Sequence, residues 1–523
     1  MDKISKNDFR LNRETFTAGR VYLEETYEHP VEKDFVLPDY YPDIFRVLKC
    51  FVNPVVTSRG INANKLSFEG TAVIRVLYIS ENSSAVNCIE AKVPFSKSVE
   101  FQGECLNPSV QITSACEYIN CRVVNQRRLD VRGAVTTSVK IVGEETANVV
   151  TDAFGEGIQL KKTLCSLPAK RITVAKRVTL IEDLELAESK PSLGTVIRSS
   201  CKILETSEKI IAGKLVTKGE AEITVIYTCA DKEGSQGAEN MKFTVPFSQI
   251  IDMEGIDEGF SADVEISAEG CEIMPKGESG HNAECELTLL VNCTAIKYIQ
   301  QEIVVDAYST CWDCNTVKSR KSISQKGETL KKECSLSFES KCCEGNVKQI
   351  FDCYGEIKNI FCELNKDKKA FMISGNVLFG ILGKDENDTP FFSENESTFE
   401  EEISLPEGTE CDEIFFEPRA KVTECSYRIA GENSVEIKFD YTLSGMMKKS
   451  AEREIIENII LDKDSPKKQE SGYALKLCRI NGKEDIWEIA KKYSTSVKAI
   501  LEENEIEDDN QAAEGMLLIP LMK

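Results

Sequence analysis

Most of the chain alternates short apolar runs with polar breaks, which is the pattern that antiparallel β-strands produce. The runs are rich in Val, Ile, Thr, Tyr and Phe, and Gly, Asn, Asp and Ser separate them. Such runs predict strands arranged most simply as β-sandwiches or open barrels. Helical spacing of apolar residues is scarce before residue 473, where Ser450–Leu461 is the best candidate for an amphipathic connecting helix.

The apolar runs belong to a unit that occurs three times. Its period of about 150 residues is too long for a solenoid, so it predicts three tandem domains. We expect mainly β structure, with three antiparallel β-sandwich-like repeat domains at 1–165, 166–305 and 306–462. The stretches that recur are 68–78, 217–227 and 373–382, then 93–96 and 245–248, and finally the surroundings of Cys116, Cys271 and Cys425.

Two residue types in the repeat constrain the backbone. A glycine precedes the main strand of each copy, at Gly70, Gly219 and Gly375. Glycine inside a strand pattern predicts a bulge or a tight entry. Pro94 and Pro246 cannot donate to a β-ladder, so they predict strand ends or edge strands.

The first copy also carries a Pro-Asp signature at Leu37–Val47. Two Pro-Asp steps predict an extended turn, and Asp43 is placed to cap a short helical run from Ile44. The second copy keeps a reduced form at Lys190–Ile197. A structural turn and a partner-binding loop are both compatible with these residues.

The C-terminal residues 473–523 predict a small module with the order strand, helix, helix, strand. Tyr473, Leu475 and Leu477 alternate as a strand with one buried face would. A second helix is expected from Ser496, and residues 515–520 predict the closing strand. We expect a charged, flexible linker at 463–472 ahead of this module.

The sequence predicts where the first helix of this module begins. Asp485, followed by Glu488 three residues later, is a carboxylate variant of the helix-start signature. Trp487 lies at helical spacing with Ile486 and Ala490. This spacing favours a core position for Trp487 over a sugar-stacking one.

Charge and apolar content limit the classes of partner. The net charge of the 523-residue chain is −23, which disfavours nucleic acid and anionic lipid as direct partners. Residues 1–20 contain no apolar run, so no secretory signal is expected there. No stretch approaches the 18 uninterrupted apolar residues of a membrane span. We therefore expect a soluble protein that stays in a cytoplasm.

The 21 cysteines are an unusual number for such a chain. A disulfide scaffold is disfavoured in a reducing cytoplasm, so most are expected to be small core residues. Cys311 and Cys314 have the spacing of a zinc knuckle, but the nearest partner pair, Cys342 and Cys343, is adjacent in sequence. These four are weak candidates for a structural zinc site, and no cofactor is expected.

An enzymatic function has little support. The two histidines, His29 and His281, lie in different repeats and in polar surroundings, where surface positions are expected. A Ser-His-Asp or Cys-His site would require one of them to be closely supported. No phosphate-binding loop occurs in the sequence. We expect no catalytic site.

The C-terminal module resembles a LysM domain, a module that in most proteins binds N-acetylglucosamine polymers. The resemblance implies a ligand groove between two loops. It departs from the family in the first loop, where Lys483-Glu484-Asp485 replaces the usual Gly-Asp-Thr, and at Ser494, where a glycine usually ends the helix. Acidic groove residues favour a protein ligand over a neutral sugar. The groove candidates are Gly482, Lys483, Glu484, Asp485, Ile486, Asn504, Glu505 and Ile506, and the matching residues are Trp487, Ile489, Ala490, Lys491, Lys492, Tyr493, Val497, Asn504, Gly515, Leu518, Ile519 and Pro520.

The Pro-Asp signature, the glycine-led strand and the Val-Pro-Phe-Ser step resemble the SPOCS domain of clostridial sporulation proteins. Tandem units of this type followed by one LysM module resemble the SipL-like spore morphogenetic proteins. This resemblance implies a scaffold in the mother-cell cytoplasm, at the forespore surface, whose LysM module binds the coat morphogenetic ATPase SpoIVA. The alternative is a protein that binds peptidoglycan of the spore cortex or cell wall.

Overall fold

The computed structural model describes most of the chain, and the fold below refers to that part. The described residues are 9–81, 85–155, 157–230, 236–277, 280–409, 414–467, 474–481, 485–506 and 514–521. They form three β-sandwich units and a C-terminal module that contains two short helices. The mainly β fold expected from the sequence is confirmed.

The first unit consists of two three-stranded antiparallel sheets. One sheet has the order β1-β6-β5 and the other has the order β2-β3-β4. Side chains from both sheets meet in one hydrophobic core that contains Phe68, Ile74, Leu129 and Val131. The strands are β1 (Arg10–Val36), β2 (Arg46–Asn62), β3 (Lys65–Ile79), β4 (Val86–Glu100), β5 (Leu106–Asn125) and β6 (Arg128–Phe154).

The second unit repeats this topology. Its sheets have the orders β11-β12-β7 and β10-β9-β8. The first strand begins at Ile158, before the predicted domain start at residue 166. The strands are β7 (Ile158–Glu185), β8 (Val196–Ile211), β9 (Lys214–Ala230), β10 (Gln236–Asp252), β11 (Phe260–Lys276) and β12 (Asn282–Ser309).

The third unit has the same plan, with two of its strands interrupted. The long first strand is split into β13 and β14, and the fifth into β18 and β19, all paired with β20. The other sheet has the order β15-β16-β17. The strands are β13 (Trp312–Ser324), β14 (Glu328–Lys341), β15 (Val347–Asn365), β16 (Ala370–Asp385), β17 (Pro390–Ser404), β18 (Ile414–Phe416), β19 (Arg419–Ile429) and β20 (Ser434–Pro466).

The helix predicted at Ser450–Leu461 is wrong, because these residues belong to strand β20. Ile455 and Ile456 are both buried although they are neighbours in the chain. A strand packed on both faces loses the alternation of period two, so its apolar positions imitate a helical spacing. The strand also continues into the predicted linker, as far as Pro466, and residues 468–472 lie outside the described part.

The residue opposite the recurring glycine explains why glycine is needed at this position. In each unit the glycine pairs across strands with a buried phenylalanine of the edge strand. A Cβ atom on Gly70 would lie 2.2 Å from the ring of Phe95, so only glycine leaves room for this ring. The three pairs are Gly70 and Phe95, Gly219 and Phe247, and Gly375 and Phe399.

The predicted bulge needs one correction, whereas edge strands, one of the two positions predicted for the prolines, are confirmed. The bulge is present, but on the neighbouring strand: the pairing of β2 with β3 shifts between Val56 and Ser58, opposite Gly70. Pro94 and Pro246 lie in edge strands, as predicted, but inside them and not at their ends. An edge strand tolerates proline because one side of its backbone has no ladder to join.

The Pro-Asp signature forms an irregular loop, and the helical run predicted from Ile44 is absent from it. The guanidinium of Arg127 holds this loop. It donates to the carbonyl oxygens of Leu37, Pro38 and Tyr41 at 2.7–3.1 Å and to Asp43 Oδ1 at 2.9 Å. Asp43 therefore accepts from an arginine side chain and does not cap a helix.

We expect Arg127→Ala to release this loop, because three carbonyl oxygens and a carboxylate lose their donor. The loss should be about 2 kcal/mol of local stability, since bonds from a charged donor are worth about 1.5–3 kcal/mol. Amide hydrogen exchange over residues 37–46 should accelerate. The matched control is Arg128→Ala, which removes an exposed ion pair with Asp34 and should leave exchange unchanged. Equal acceleration in both variants would contradict this role for Arg127.

The three units are joined by three shared hydrophobic cores, two at one junction and one at a second junction. The open ends of their long strands pack against one another, and equivalent residues of the three units meet there. A second junction contains Leu77, Ile226 and Leu382, each seven residues after the recurring glycine. The equivalent sets in the first junction are Val149, Ile303 and Ile455, then Val150, Val304 and Ile456, and Ala153, Ala307 and Ile459.

The C-terminal module has the predicted βααβ order. Strands β21 (Leu475–Asn481) and β22 (Glu514–Pro520) pair antiparallel, with α1 (Ile486–Lys492) and α2 (Val497–Glu503) between them. Asp485 caps α1 by accepting from the Trp487 amide, and Ser496 caps α2 by accepting from the Ala499 amide. Both predicted helix starts are confirmed. Trp487 is 8% exposed, as its spacing predicts.

The structure places His29 differently from the sequence expectation. His29 is buried, with its ring 4.9 Å from the ring of Phe95 and Nε2 2.8 Å from Thr137 Oγ1. The surface position predicted for it is wrong, whereas His281 is half-buried in the loop before β12. Burial lowers the pKa of His29, with a further contribution from Lys97.

The weak zinc candidates are not brought together. Cys314 pairs with Leu461, near the C-terminal end of β20. Lys341, which directly precedes Cys342 and Cys343, pairs with Ser434 at the start of β20. The two cysteine pairs therefore lie near opposite ends of this strand. Among the described residues, no three His, Cys, Asp or Glu side chains lie close enough to hold a metal ion.

Candidate binding site on the C-terminal module

A β-bulge recurs at one place in the three long strands. The pairing skips Thr151 in β6, Val305 in β12 and Glu457 in β20. After each bulge the next side chain folds back and accepts a hydrogen bond from the following backbone amide at 2.9–3.0 Å. These side chains are Asp152, Asp306 and Asn458, so each unit presents one polar acceptor at an equivalent point.

Two of these acceptors join neighbouring units. Asp152 of the first unit accepts from Lys162 of the second at 3.0 Å. Asn458 of the third unit accepts from Arg13 of the first at 2.6 Å. Arg13 and Lys162 hold equivalent positions on the first strand of their units, opposite Val150 and Val304.

The third acceptor binds the C-terminal module instead of a neighbouring unit. Lys318 holds the position equivalent to Lys162, but it pairs with Glu454 of its own unit. Asp306 accepts from Trp487 Nε1 at 2.7 Å and from Lys491 Nζ at 2.6 Å. Asp152 and Asn458 thus each connect two sandwich units, whereas Asp306, at the equivalent position, binds the C-terminal module.

Two further contacts complete this docking surface on the second unit. The Tyr308 hydroxyl donates to the Thr495 carbonyl at 2.6 Å, and its ring packs edge-on against Trp487 at 4.9 Å. Lys161 Nζ lies 2.6 Å from Asp485 Oδ2 at the start of α1. Tyr308 also belongs to the hydrophobic core of the module, so the module and the second unit share buried apolar surface.

The docking should weaken in acid. Burial raises the pKa of Asp306, but hydrogen bonds from Lys491 and Trp487 outweigh burial, and the pKa is lowered overall. A carboxyl with a lowered folded-state pKa contributes stability above its unfolded value of about 3.9 and loses it as the pH falls through the folded value. We expect Trp487 fluorescence, followed in a Trp312→Phe background, to show release below about pH 4. The same variant carrying Asp306→Asn should show a smaller acid step, because the Asp485–Lys161 ion pair of the docking surface still titrates. An identical step in both would contradict the assignment.

Of the eight predicted groove residues, five lie in the described part of the chain. Asp485 is exposed and bonded to Lys161, and Glu505 is exposed with a positive φ of 54°. Asn504 joins the end of α2 to β22, because its amide bonds both the carbonyl oxygen and the amide of Leu518. Ile486 and Ile506 belong to the module core. Gly482, Lys483 and Glu484 lie outside the described residues.

The backbone at the end of α1 is strained. Ser494, at the position where LysM domains usually have glycine, has a φ of 52°, and the Thr495 amide donates to the Ala490 carbonyl at 3.0 Å. We expect Ser494→Gly to stabilise the module by about 0.5–1 kcal/mol, because glycine adopts this conformation without strain. The thermal midpoint of the Trp487 signal should rise. Ser494→Ala is the matched control, and a rise of the same size in that variant would contradict the strain argument.

The sheet of the module turns an apolar face outward. Leu475, Leu477 and Met516 are 44%, 55% and 61% exposed. The prediction that the face of Leu475 and Leu477 is buried is therefore wrong. The inner positions of β21 are taken by Lys476, whose ammonium lies 4.9 Å from the Tyr493 ring, and by Cys478, while Leu517 and Ile519 of β22 fill the core.

The docking residues were not among the sequence candidates, although the repeat contains a signal for them. Val149-Val150-Thr151-Asp152-Ala153-Phe154 recurs as Ile303-Val304-Val305-Asp306-Ala307-Tyr308. Aligning these stretches marks an aspartate at the same place in two long strands. It does not indicate what Asp306 binds, because that depends on the packing of three units and a module.

Comparison with known proteins identifies part of the chain. A family profile described as SipL, SPOCS domain matches residues 43–124 and 193–276. The first match begins in the loop before β2 and ends in β5, and the second begins in the loop before β8 and ends in β11. No curated protein and no solved structure matches the chain significantly.

The third unit and the C-terminal module lie outside the matched segments, so the resemblance of the module to LysM stays a prediction. No helix in the described residues is long and apolar enough to span a membrane. The matches fall on corresponding parts of the first and second units, which share one topology. The chain is thus a SipL-like, sporulation-related protein that carries tandem SPOCS domains in these two units.

Proposed function

We propose that this protein is a non-enzymatic scaffold in spore coat and envelope assembly, and that its C-terminal module binds a SpoIVA-like coat morphogenetic ATPase. Three sandwiches share hydrophobic cores with one another, and the module docks on one of them through Asp306 and Tyr308. The three joined sandwich units thus hold the small binding module in a fixed orientation. The βααβ order of the module supports its assignment as a LysM domain.

The observation that carries the proposal is the outward apolar face of the module, Leu475, Leu477 and Met516. Exposed aliphatic side chains on adjacent strands favour contact with another protein surface. A neutral polysaccharide is bound mainly by aromatic stacking and hydrogen bonds. The indole of Trp487 does not offer this, because it is buried and bonded to Asp306.

The net charge of the chain supports a place at the forespore surface, on the mother-cell side. With a net charge of −23, the protein is repelled by anionic lipid, which favours attachment through a protein partner over direct membrane binding. In our proposal the coat ATPase is this partner. The exposed carboxylate of Glu505, which follows α2, suits a partner with basic residues.

Binding of the full chain to purified coat ATPase at physiological salt tests this proposal. We expect Leu477→Asp to weaken binding by about 30-fold, because a charge enters the centre of an apolar contact. The matched control is Leu164→Asp, which alters an exposed leucine on β7. Glu505→Lys tests the groove in the same assay. Loss of binding with Glu505→Lys alone would assign the contact to the groove.

Peptidoglycan binding is the competing outcome. The full chain is mixed with purified cortex peptidoglycan and sedimented. A chain that pellets with peptidoglycan and does not bind the ATPase would overturn the scaffold proposal. A folded chain that binds neither ligand would overturn it as well.

A further inference from the structure

The third unit contains a close pair of thiols, in which Cys353 Sγ lies 3.3 Å from Cys425 Sγ. In the first unit Cys121 raises the pKa of Cys50, and in the second unit Cys285 raises the pKa of Cys271. None of these six cysteines belongs to the candidate zinc group or to the binding module.

The pair in the third unit bridges the two sheets of its sandwich. Cys353 lies on β15, in the sheet β15-β16-β17, and Cys425 lies on β19, which pairs with β20. The sulfur atoms need to approach by about 1.3 Å to reach the disulfide length of about 2.05 Å. Both residues are half-buried at the edge of the hydrophobic core of the third unit.

The position of Cys353 recurs in the other units. Cys50 lies opposite Val76 and Cys353 opposite Ile381, each six residues after the recurring glycine. In the second unit this position is Ser199, whose hydroxyl donates to the Cys271 carbonyl at 2.7 Å. The second strand therefore directs a small polar or thiol side chain toward the fifth strand in every unit.

We propose that Cys353 and Cys425 form an oxidisable dithiol site, which a two-electron oxidant of the peroxide class converts into a disulfide between the two sheets. In the first step the Cys425 sulfur attacks hydrogen peroxide. The O–O bond breaks, and a sulfenic acid and one water are formed. In the second step Cys353 attacks the Cys425 sulfur, the S–O bond breaks and a second water leaves. Two thiols and one peroxide thus give one disulfide and two waters.

The charge of Lys202, which belongs to the second unit, favours Cys425 for the first step. The thiol–thiol contact with Cys353 lowers the pKa of Cys425, burial opposes this shift, and Lys202 lowers the pKa further. The pKa of Cys353 is raised in return, so it remains the protonated partner. The thiolate is the attacking species in both peroxide reduction and disulfide exchange.

Oxidation of the full chain with hydrogen peroxide tests the site. After remaining thiols are blocked with iodoacetamide, trypsin releases residues 349–358, which contain Cys353, and residues 422–428, which contain Cys425. We expect mass spectrometry to find these two peptides linked, and a phosphine reductant to separate them. The melting temperature of the third unit should rise by about 5 °C on oxidation, because the bond constrains a long loop of the unfolded chain.

Matched variants keep the test decisive. Cys353→Ser and Cys425→Ser should each abolish the linked peptide and the rise in melting temperature. Cys362→Ser, on the same strand as Cys353, should leave both intact. Recovery of both peptides as separate alkylated or sulfonic acid forms from folded, peroxide-treated protein would overturn the proposal. A linkage that forms only after unfolding would overturn it too.

Discussion

Replacing Gly70 with alanine should destabilise the first unit by about 3 kcal/mol, the upper part of the usual range for overpacking a core. The new Cβ would lie 2.2, 2.6 and 2.8 Å from three atoms of the Phe95 ring. That ring is buried, and the His29 ring packs against it at 4.9 Å. The clash is therefore with a buried ring that already packs against a neighbouring ring. The measurement is the denaturant midpoint of the first unit, followed by hydrogen exchange of β3 and β4.

Gly60→Ala is the matched control, because a Cβ at Gly60, also in a strand of the first unit, meets no atom within 4 Å. We expect it to change stability by less than about 0.5 kcal/mol. Phe95→Ala alone should cost about 3–5 kcal/mol. The double variant Gly70→Ala with Phe95→Ala should cost clearly less than the sum, since the clash is gone. Full additivity would contradict the account of the recurring glycine.

Replacing Asp306 with asparagine should release the C-terminal module from the second unit. Asparagine keeps the shape of the side chain but removes the charge that Lys491 and Trp487 bond. Hydrogen bonds to a charged group are worth about 1.5–3 kcal/mol, so the docking equilibrium should shift by about 30-fold. In a Trp312→Phe background, Trp487 is the remaining tryptophan. Its emission should shift to the red, and acrylamide should quench it more strongly.

The pseudo-symmetry of the three units provides an unusually close control. Asp152→Asn makes the same change at the equivalent position, where the partner is Lys162 and not the module. Trp487 emission should stay at its native wavelength in this variant. An equal red shift in both variants would mean that the overall stability of the three sandwich units, and not the contact with Asp306, determines the environment of Trp487.

The domain plan was predictable because it rests on local patterns. The repeat at Gly70 and Gly219 and the helix starts at Asp485 and Ser496 need only neighbouring residues to be recognised. The error at Ser450–Leu461 has a tertiary origin. Ile455 and Ile456 pack into two different cores shared by the units, and sequence periodicity cannot indicate that both faces of a strand will be covered.

The candidate site was predicted less completely, for a related reason. Asp485 and Glu505 were identified because the resemblance to LysM domains implies a ligand groove between the two loops that carry them. Asp306 and Tyr308 contact the module from about 180 residues away, so no local pattern links them to it. The outward direction of Leu475 and Leu477 also depends on tertiary structure, because β22 and the helices already fill the module core.

Hydrogen exchange of the full chain with and without coat ATPase tests most directly whether the outward face of the module binds this partner. We predict that the ATPase slows exchange in β21, residues 475–481, and in β22, residues 514–520, while the three sandwich units keep their rates. Protection confined to the sandwich units, or unchanged exchange in both module strands at saturating ATPase, would contradict the account.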